Sequence, residues 1–148
     1  MNDGIPPMIE VSQNGYTIST DLARLDLDAI CVFLDVAYWS QGRMRAMVAR
    51  SLQHSLCFGV YDAQGQIGLA RVITDYATFA YLCDVYIQEE HRGSGLGKWL
   101  MATVIAHPSL VGLRRFMLAT RDAHGLYQQV GFTALQAPER WMERFQDT

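Results

Sequence analysis

Apolar residues recur along this chain with two different periods, and the switches between them mark the elements. Tyr16–Thr20 reads as a first strand. From Asp26 the period is helical: Leu27, Ile30, Phe33, Leu34 and Ala37 share one face, and Asp26 or Asp28 can cap the start. A second helix is expected near 43–53, where Met44, Met47, Val48 and Leu52 form a stripe with the arginines on the other side. That stripe reads as core, with the border of an acyl or substrate pocket as the alternative. The period then falls to two. In SLCFGVYD, Leu56, Phe58 and Val60 alternate with Cys57, Gly59 and Tyr61. Ala63-Gln64-Gly65 is a hairpin turn, QIGLARVITD returns, and Asp75–Thr78 turns again. TFAYLCDVYIQ is apolar on both faces, as a central strand is. Links this short make the three strands antiparallel.

The helical period resumes at Leu96, Trp99, Leu100, Thr103 and Val104, and His107-Pro108 ends it. RRFMLAT predicts a strand, Asp122–Val130 a short helix, Gly131-Phe132 the start of another strand, and RWMERF a last one. The order is β-α-α-β-β-β-α-β-α-β-β. It predicts an α/β (α+β mixed) domain, a mixed sheet with helices on both faces. Residues 1–14 are the loosest segment expected in an otherwise single domain over 1–148.

Composition narrows the field without naming a function. The 148 residues are 50% hydrophobic and 18% charged, an ordinary globular balance. A net charge of −3 argues against a nucleic-acid partner. No apolar run approaches a bilayer span, and MNDGIPPMIE has neither the basic start nor the apolar core of a signal peptide. The expected location is therefore the cytoplasm. Cys31, Cys57 and Cys83 lie far apart in apolar contexts and read as reduced core residues. No metal is implied, because no ligand set has suitable spacing.

One stretch departs from ordinary packing logic. EHRGSGLGKWLM sets Gly93, Gly95 and Gly97 at alternate positions, directly before a helix. A Walker loop needs glycine where Arg92 stands and Ser or Thr where Trp99 stands. A dinucleotide fingerprint needs G-x-G-x-x-G after a parallel strand, and this chain offers G-x-G-x-G. The glycines alone would also ease a sharp strand-to-helix turn. The remaining reading is an anion site. First-turn N–H groups lack intrahelical partners, bare backbone admits close approach, and Arg92 and Lys98 add positive charge.

Here the residues resemble a family. YLCDVYIQEEHRGSGLGKWL is similar to the acetyl-CoA-binding core of the GNAT N-acetyltransferase superfamily, and AHGLYQQVGF (Ala123–Phe132) is similar to its next motif. The likeness is close over about 55–135. It implies a GNAT-like central mixed, mostly antiparallel sheet of six or seven strands with splayed central strands, flanked by about four helices. It implies that pantetheine pairs with the main chain of Val85, Tyr86 and Ile87. The loop Arg92, Gly93, Ser94, Gly95, Leu96, Gly97 and Lys98 would hold the pyrophosphate. Thr120 stands where the family often has asparagine, which puts its share of cofactor bonding in question.

The implied chemistry is direct attack of a neutral amine on the acetyl-CoA thioester. Tyr127, four residues before Gly131, matches the family's acid for the leaving thiolate, against a packed amphipathic tyrosine as the alternative. Polyamine acetyltransferases of the superfamily carry a Glu-Asp pair on the preceding strand. Here the pair is Cys83-Asp84, so Asp84 is either the general base or a buried structural carboxylate. Asp75, Tyr81 and His124 are further base candidates, and Cys83 a minor candidate nucleophile. Asp75 and Asp84 lean toward a cationic acceptor. The implied partner is a primary amine on a small molecule, peptide or protein, with no nucleic acid, no membrane, and a homodimer left open. A non-catalytic acyl-CoA-binding domain and a nucleotide phosphate binder are the rival readings.

Overall fold

The computed structural model describes residues 6–147. Ten elements form around one sheet. They are β1 (Glu10–Gln13), β2 (Tyr16–Ser19), α1 (Leu27–Val36), α2 (Arg45–Gln53), β3 (Leu56–Tyr61), β4 (Gln66–Thr74), β5 (Phe79–Ile87), α3 (Leu96–Ile105), β6 (Arg115–Leu118) and α4 (His124–Gln128). The six strands lie in sequence order. Every neighbouring pair is antiparallel except β5 and β6, which the α3 crossover makes parallel. The fold is thus the expected mixed, mostly antiparallel sheet with four helices.

Strand alternation divides the interior in two. Phe58, Val60, Ala70 and Val72 face α3, where Leu100, Met101 and Val104 are fully buried. Cys57, Leu69 and Tyr86 face α1 and α2, packing on Ile30, Leu34, Val48 and Leu52. Of the two candidate caps of α1, Asp26 does the work: its carboxylate accepts from Ala29 N at 3.1 Å.

Two features at the chain ends differ from expectation. Residues 10–13, inside the segment read as loose, pair with β2 through an Asn14-Gly15 turn. Both turn residues have positive φ (54° and 83°), which suits the twist of a two-residue hairpin. Residues 1–5 of that segment lie outside the described residues. At the other end, the strands expected from Gly131 and over RWMERF do not form. Residues 132–147 run without strand structure past a 3-10 turn at Pro138–Arg140. Apolar alternation makes a strand possible, but only a backbone partner makes one, and none reaches this segment among the described residues.

Candidate active site

The register between β5 and β6 creates the site. Pairing runs from Phe79↔Arg115 to Leu82↔Leu118 and stops. β5 continues to Ile87 with no strand on that side among the described residues, so the two strands part beyond Leu82. A β-bulge sharpens the parting. Leu69 opposes Tyr86 and Arg71 opposes Cys83, so Asp84 and Val85 together face Ala70. Asp84 absorbs the extra residue in the left-handed region, at φ 51°.

Backbone alternation decides which groups face the opening. Gln88 N donates to Ile67 O at 2.8 Å, toward β4. Tyr86 therefore turns its main chain toward β4, while Val85 and Ile87 turn theirs to the gap. Of the three residues expected to pair with pantetheine, two present main-chain groups. Tyr86 contributes its ring instead, stacked on Phe33 with centroids 3.7 Å apart. Arg92 Nε donates to Ile87 O at 2.8 Å and ties the loop to the end of β5.

The glycine loop follows. Gly93 and Gly95 have φ of 87° and 81°, and a Cβ at either would meet nothing within 4 Å. These glycines serve conformation, and the space before them is empty of protein. Gly95 ends the loop as the residue before α3, with no side-chain cap. The first intrahelical bond is Trp99 N to Gly95 O at 3.0 Å, so the amides of Leu96, Gly97 and Lys98 precede it. Lys98, Arg92 and Ser94 are exposed beside them. A groove of 1420 Å³ joins this loop to Val85, Ile87, Leu126 and Tyr127. Its size, open strand edge and amide-lined end fit an extended thioester carrier with a phosphate tail.

The groove meets a second cavity, of 430 Å³, where β5 and β6 separate; Tyr38, Trp39, Val85 and Tyr127 line both. Tyr127 is 9% exposed, and its ring packs edge-on to Phe132 at 6.1 Å. Burial, with Tyr38 adding to it, raises its phenol above the ordinary tyrosine value. It therefore stays protonated at neutral pH, as a proton donor must. Thr120 also lines the smaller cavity, but its hydroxyl accepts from Ala123 N at 3.1 Å and starts α4.

Asp84 sits in a buried charged cluster beside the vertex. Asp84 is 5% exposed, and its carboxylate accepts four contacts. Arg71 Nε (2.8 Å) and Arg43 NH1 (3.0 Å) reach Oδ2, while Trp39 Nε1 (3.0 Å) and the same Arg43 nitrogen (3.3 Å) reach Oδ1. A general base needs a lone pair aimed at its proton. These lone pairs are spent on two guanidiniums and an indole. These contacts are those of the structural alternative: they tie Asp84 to Trp39 and Arg43 of the 37–44 loop. With Arg43 and Arg71 against one carboxylate, the cluster also gives no support to a cationic acceptor.

The other base candidates fare no better. Asp75 accepts from Ala77, Thr78 and Phe79 N–H and from the Thr78 hydroxyl; these bonds hold its carboxyl well below the usual range, inside its own turn. It sits before the start of β5, away from the vertex. His124 is exposed at the start of α4. Burial raises the Tyr81 phenol. Cys83 is pushed up to about 11, mainly by burial, and donates weakly to Arg71 O at 3.5 Å, so it is a thiol and no nucleophile at neutral pH.

Sequence reasoning missed Trp39, Arg43 and Arg71. Arg71 left a readable trace: a lone charge inside QIGLARVIT, a strand otherwise apolar, demands a buried partner. Trp39 and Arg43 left none, because only the fold brings their loop to Asp84. Among the described residues no group of three or more His, Cys, Asp or Glu can hold a metal ion, and no helix is long and apolar enough to cross a membrane.

Comparison with known proteins agrees with this architecture. The profile of the acetyltransferase (GNAT) domain matches residues 53–134. A Gibberella zeae protein designated an acetyltransferase is 36% identical over 139 residues, covering 78% of this chain and 77% of that one. A crystal structure from Xanthomonas campestris pv. campestris, assigned to the GNAT family, shares 49% identity and a TM-score of 0.87, covering 90% of this chain and 95% of that one. A Clostridium acetobutylicum protein solved with acetyl-CoA shares the fold, at 12% identity and TM-score 0.59 over 88% of this chain and 94% of that one. Splayed strands, glycine loop and sequence likeness thus converge: this chain belongs to the GNAT acetyltransferase family.

Proposed function

We propose that the protein transfers the acetyl group of acetyl-CoA to a primary amine by direct attack. The observation that carries this reading is the unpaired β5 edge. It runs from the vertex, where Tyr127 lies, to the amides of the glycine loop. A carrier laid along it delivers its thioester carbonyl to the vertex and its pyrophosphate to Gly93–Lys98. The amine enters from the 430 Å³ cavity. Its lone pair forms the C–N bond, the C–S bond breaks, and the Tyr127 hydroxyl gives its proton to the leaving sulfur. The surplus amine proton passes to water, since neither Asp84 nor Asp75 has a lone pair to spare. Bulk water then reprotonates Tyr127. The acetyl-CoA-bound relative from Clostridium acetobutylicum supports the choice of donor.

The test is release of free thiol from acetyl-CoA with a panel of primary amines. Tyr127→Phe is expected to lower kcat by about 10²-fold, the low end of general acid catalysis, with acetyl-CoA affinity unchanged. An enzyme that binds coenzyme A yet acetylates no amine is a binding domain instead. Thermal stabilisation by ATP or NAD in preference to acetyl-CoA would overturn the donor assignment.

A further inference from the structure

The 430 Å³ cavity at the vertex carries an uneven charge balance. Asp84 forms part of its wall, and Arg43 and Arg71 both pair with that one carboxylate. Two guanidiniums against one acid leave the cluster with a surplus positive charge, and burial limits its screening by salt. Among the described residues, the other charged groups lining the cavity are Arg121 and Asp122.

Arg121 stands at the junction of this cavity and the larger groove, since it lines both, as does Tyr38. Its guanidinium lies over the Tyr38 ring, 3.7 Å from the centroid. That contact joins the 37–44 loop to the link between β6 and α4, and it limits how the guanidinium can turn. Asp122 is 3.5 Å from Arg121, and the two side chains are 64% and 67% exposed. Such a separation is longer than a good N–H···O bond. The donors of Arg121 therefore remain open to an incoming acid, in a fork that matches a carboxylate.

The same surroundings disfavour a cationic amine. One face of Tyr38, which could have held a cation, is taken by Arg121. Asp84 is buried but spent on its partners, and Asp122 is free but in water. No carboxylate at the vertex is both sheltered and unpaired, so the amine must arrive neutral. A chain-terminal α-amine, with an ordinary pKa of about 7.7–8.0, meets that demand near pH 7 far more often than a lysine side chain at about 10.4.

Building on the transfer reading above, we propose that the acceptor is the α-amine of a peptide with an acidic residue next to its terminus, and that Arg121 selects it by pairing with that residue's carboxylate. The amine meets the thioester beside Tyr127, while the acid lies a few bonds away at the junction of the two cavities. Arg121 is thus a specificity-determining residue and takes no part in the proton transfers.

Thiol release from acetyl-CoA with three acceptors tests this: alanyl-aspartate amide, alanyl-asparagine amide and Nα-acetyl-lysine amide. In the wild type, kcat/KM for the aspartate acceptor is expected to exceed that for the asparagine acceptor by about fivefold, the upper reach of an exposed ion pair. Both are expected to exceed the lysine derivative by at least about tenfold at pH 7. Arg121→Gln is expected to bring the aspartate-to-asparagine ratio to about one, and Arg121→Lys to keep part of it, since the charge stays and the fork is lost. A ratio does not depend on how much of a variant is folded. Equal use of the two dipeptides by the wild type, a ratio that survives Arg121→Gln, or faster use of the lysine derivative overturns the proposal and leaves acetyl transfer standing. No thiol release with any of the three, from a protein that binds coenzyme A, overturns both.

Discussion

Asp84 shows how much a side chain's surroundings add to what its charge alone tells. On a regular strand it would point to the face opposite Cys83. The bulge and its positive φ instead bring it to Arg71, Arg43 and Trp39. Breaking a buried ion pair by removing one partner costs about 3–5 kcal/mol, because the other charge stays buried. Asp84→Asn is therefore expected to destabilise the protein by that order in urea unfolding and to move the fluorescence of Trp39. A loss below about 1 kcal/mol, the worth of an exposed pair, would remove Asp84 from the role of anchor. His107 makes a different kind of prediction. It is 1% exposed; its Nε2 donates to Pro7 O and its Nδ1 accepts from Ser109 N, both at 3.1 Å. Those partners require the neutral ring, and burial lowers its pKa from 6.5. The unfolded chain thus takes up a proton that the folded chain refuses. Stability is fully present above pH 6.5 and falls as pH drops below it toward the folded value. Urea midpoints measured on either side of that pH in wild type and His107→Gln check the sign. The acid loss should shrink in the variant.

Among the elements, the glycine loop and α3 separate two uses of glycine. Gly95 needs its left-handed conformation, so any side chain there strains the turn. Gly97 is already helical, and a Cβ there would sit 3.9 Å from Leu126 Cδ2, an ordinary contact. Helix propensity favours alanine over glycine by up to about 1 kcal/mol. Gly97→Ala is therefore expected to leave the protein as stable or slightly more so, while its methyl group weakens coenzyme A binding at the bare amides. Calorimetric titration and thermal melting on the same sample read both effects. Unchanged affinity would move the pyrophosphate away from this loop. Opposite outcomes for stability and binding are the signature of a residue kept for a ligand.

At the level of the domain, one sheet carries both the core and the opening. Strands β3 to β5 are covered on one face by α1 and α2 and on the other by α3. That rigid platform lets the β5–β6 register end early without cost to the core.

Much of this was legible in the residues alone. Period-two and period-3.6 runs located α1, α2, α3 and β3 to β6, because burial of one face is a local demand written into spacing. Residues 1–14 read as a loose segment although Asn14-Gly15 is a hairpin-prone pair, because Val11 is the only apolar mark on β1. The glycine loop and the LYxxxGF motif carried the family resemblance, which the family profile over residues 53–134 bears out. Three things lay beyond any reading of the chain. The bulge at Asp84 arises from a mismatch in register between two strands, and register belongs to the pair. The Asp84 cluster joins residues up to 45 positions apart, from Trp39 to Asp84. The missing C-terminal strands depend on whether a backbone partner is within reach, which alternation cannot tell. Spacing determines which faces are buried; only the assembled sheet determines which groups meet, and catalysis depends on the meeting.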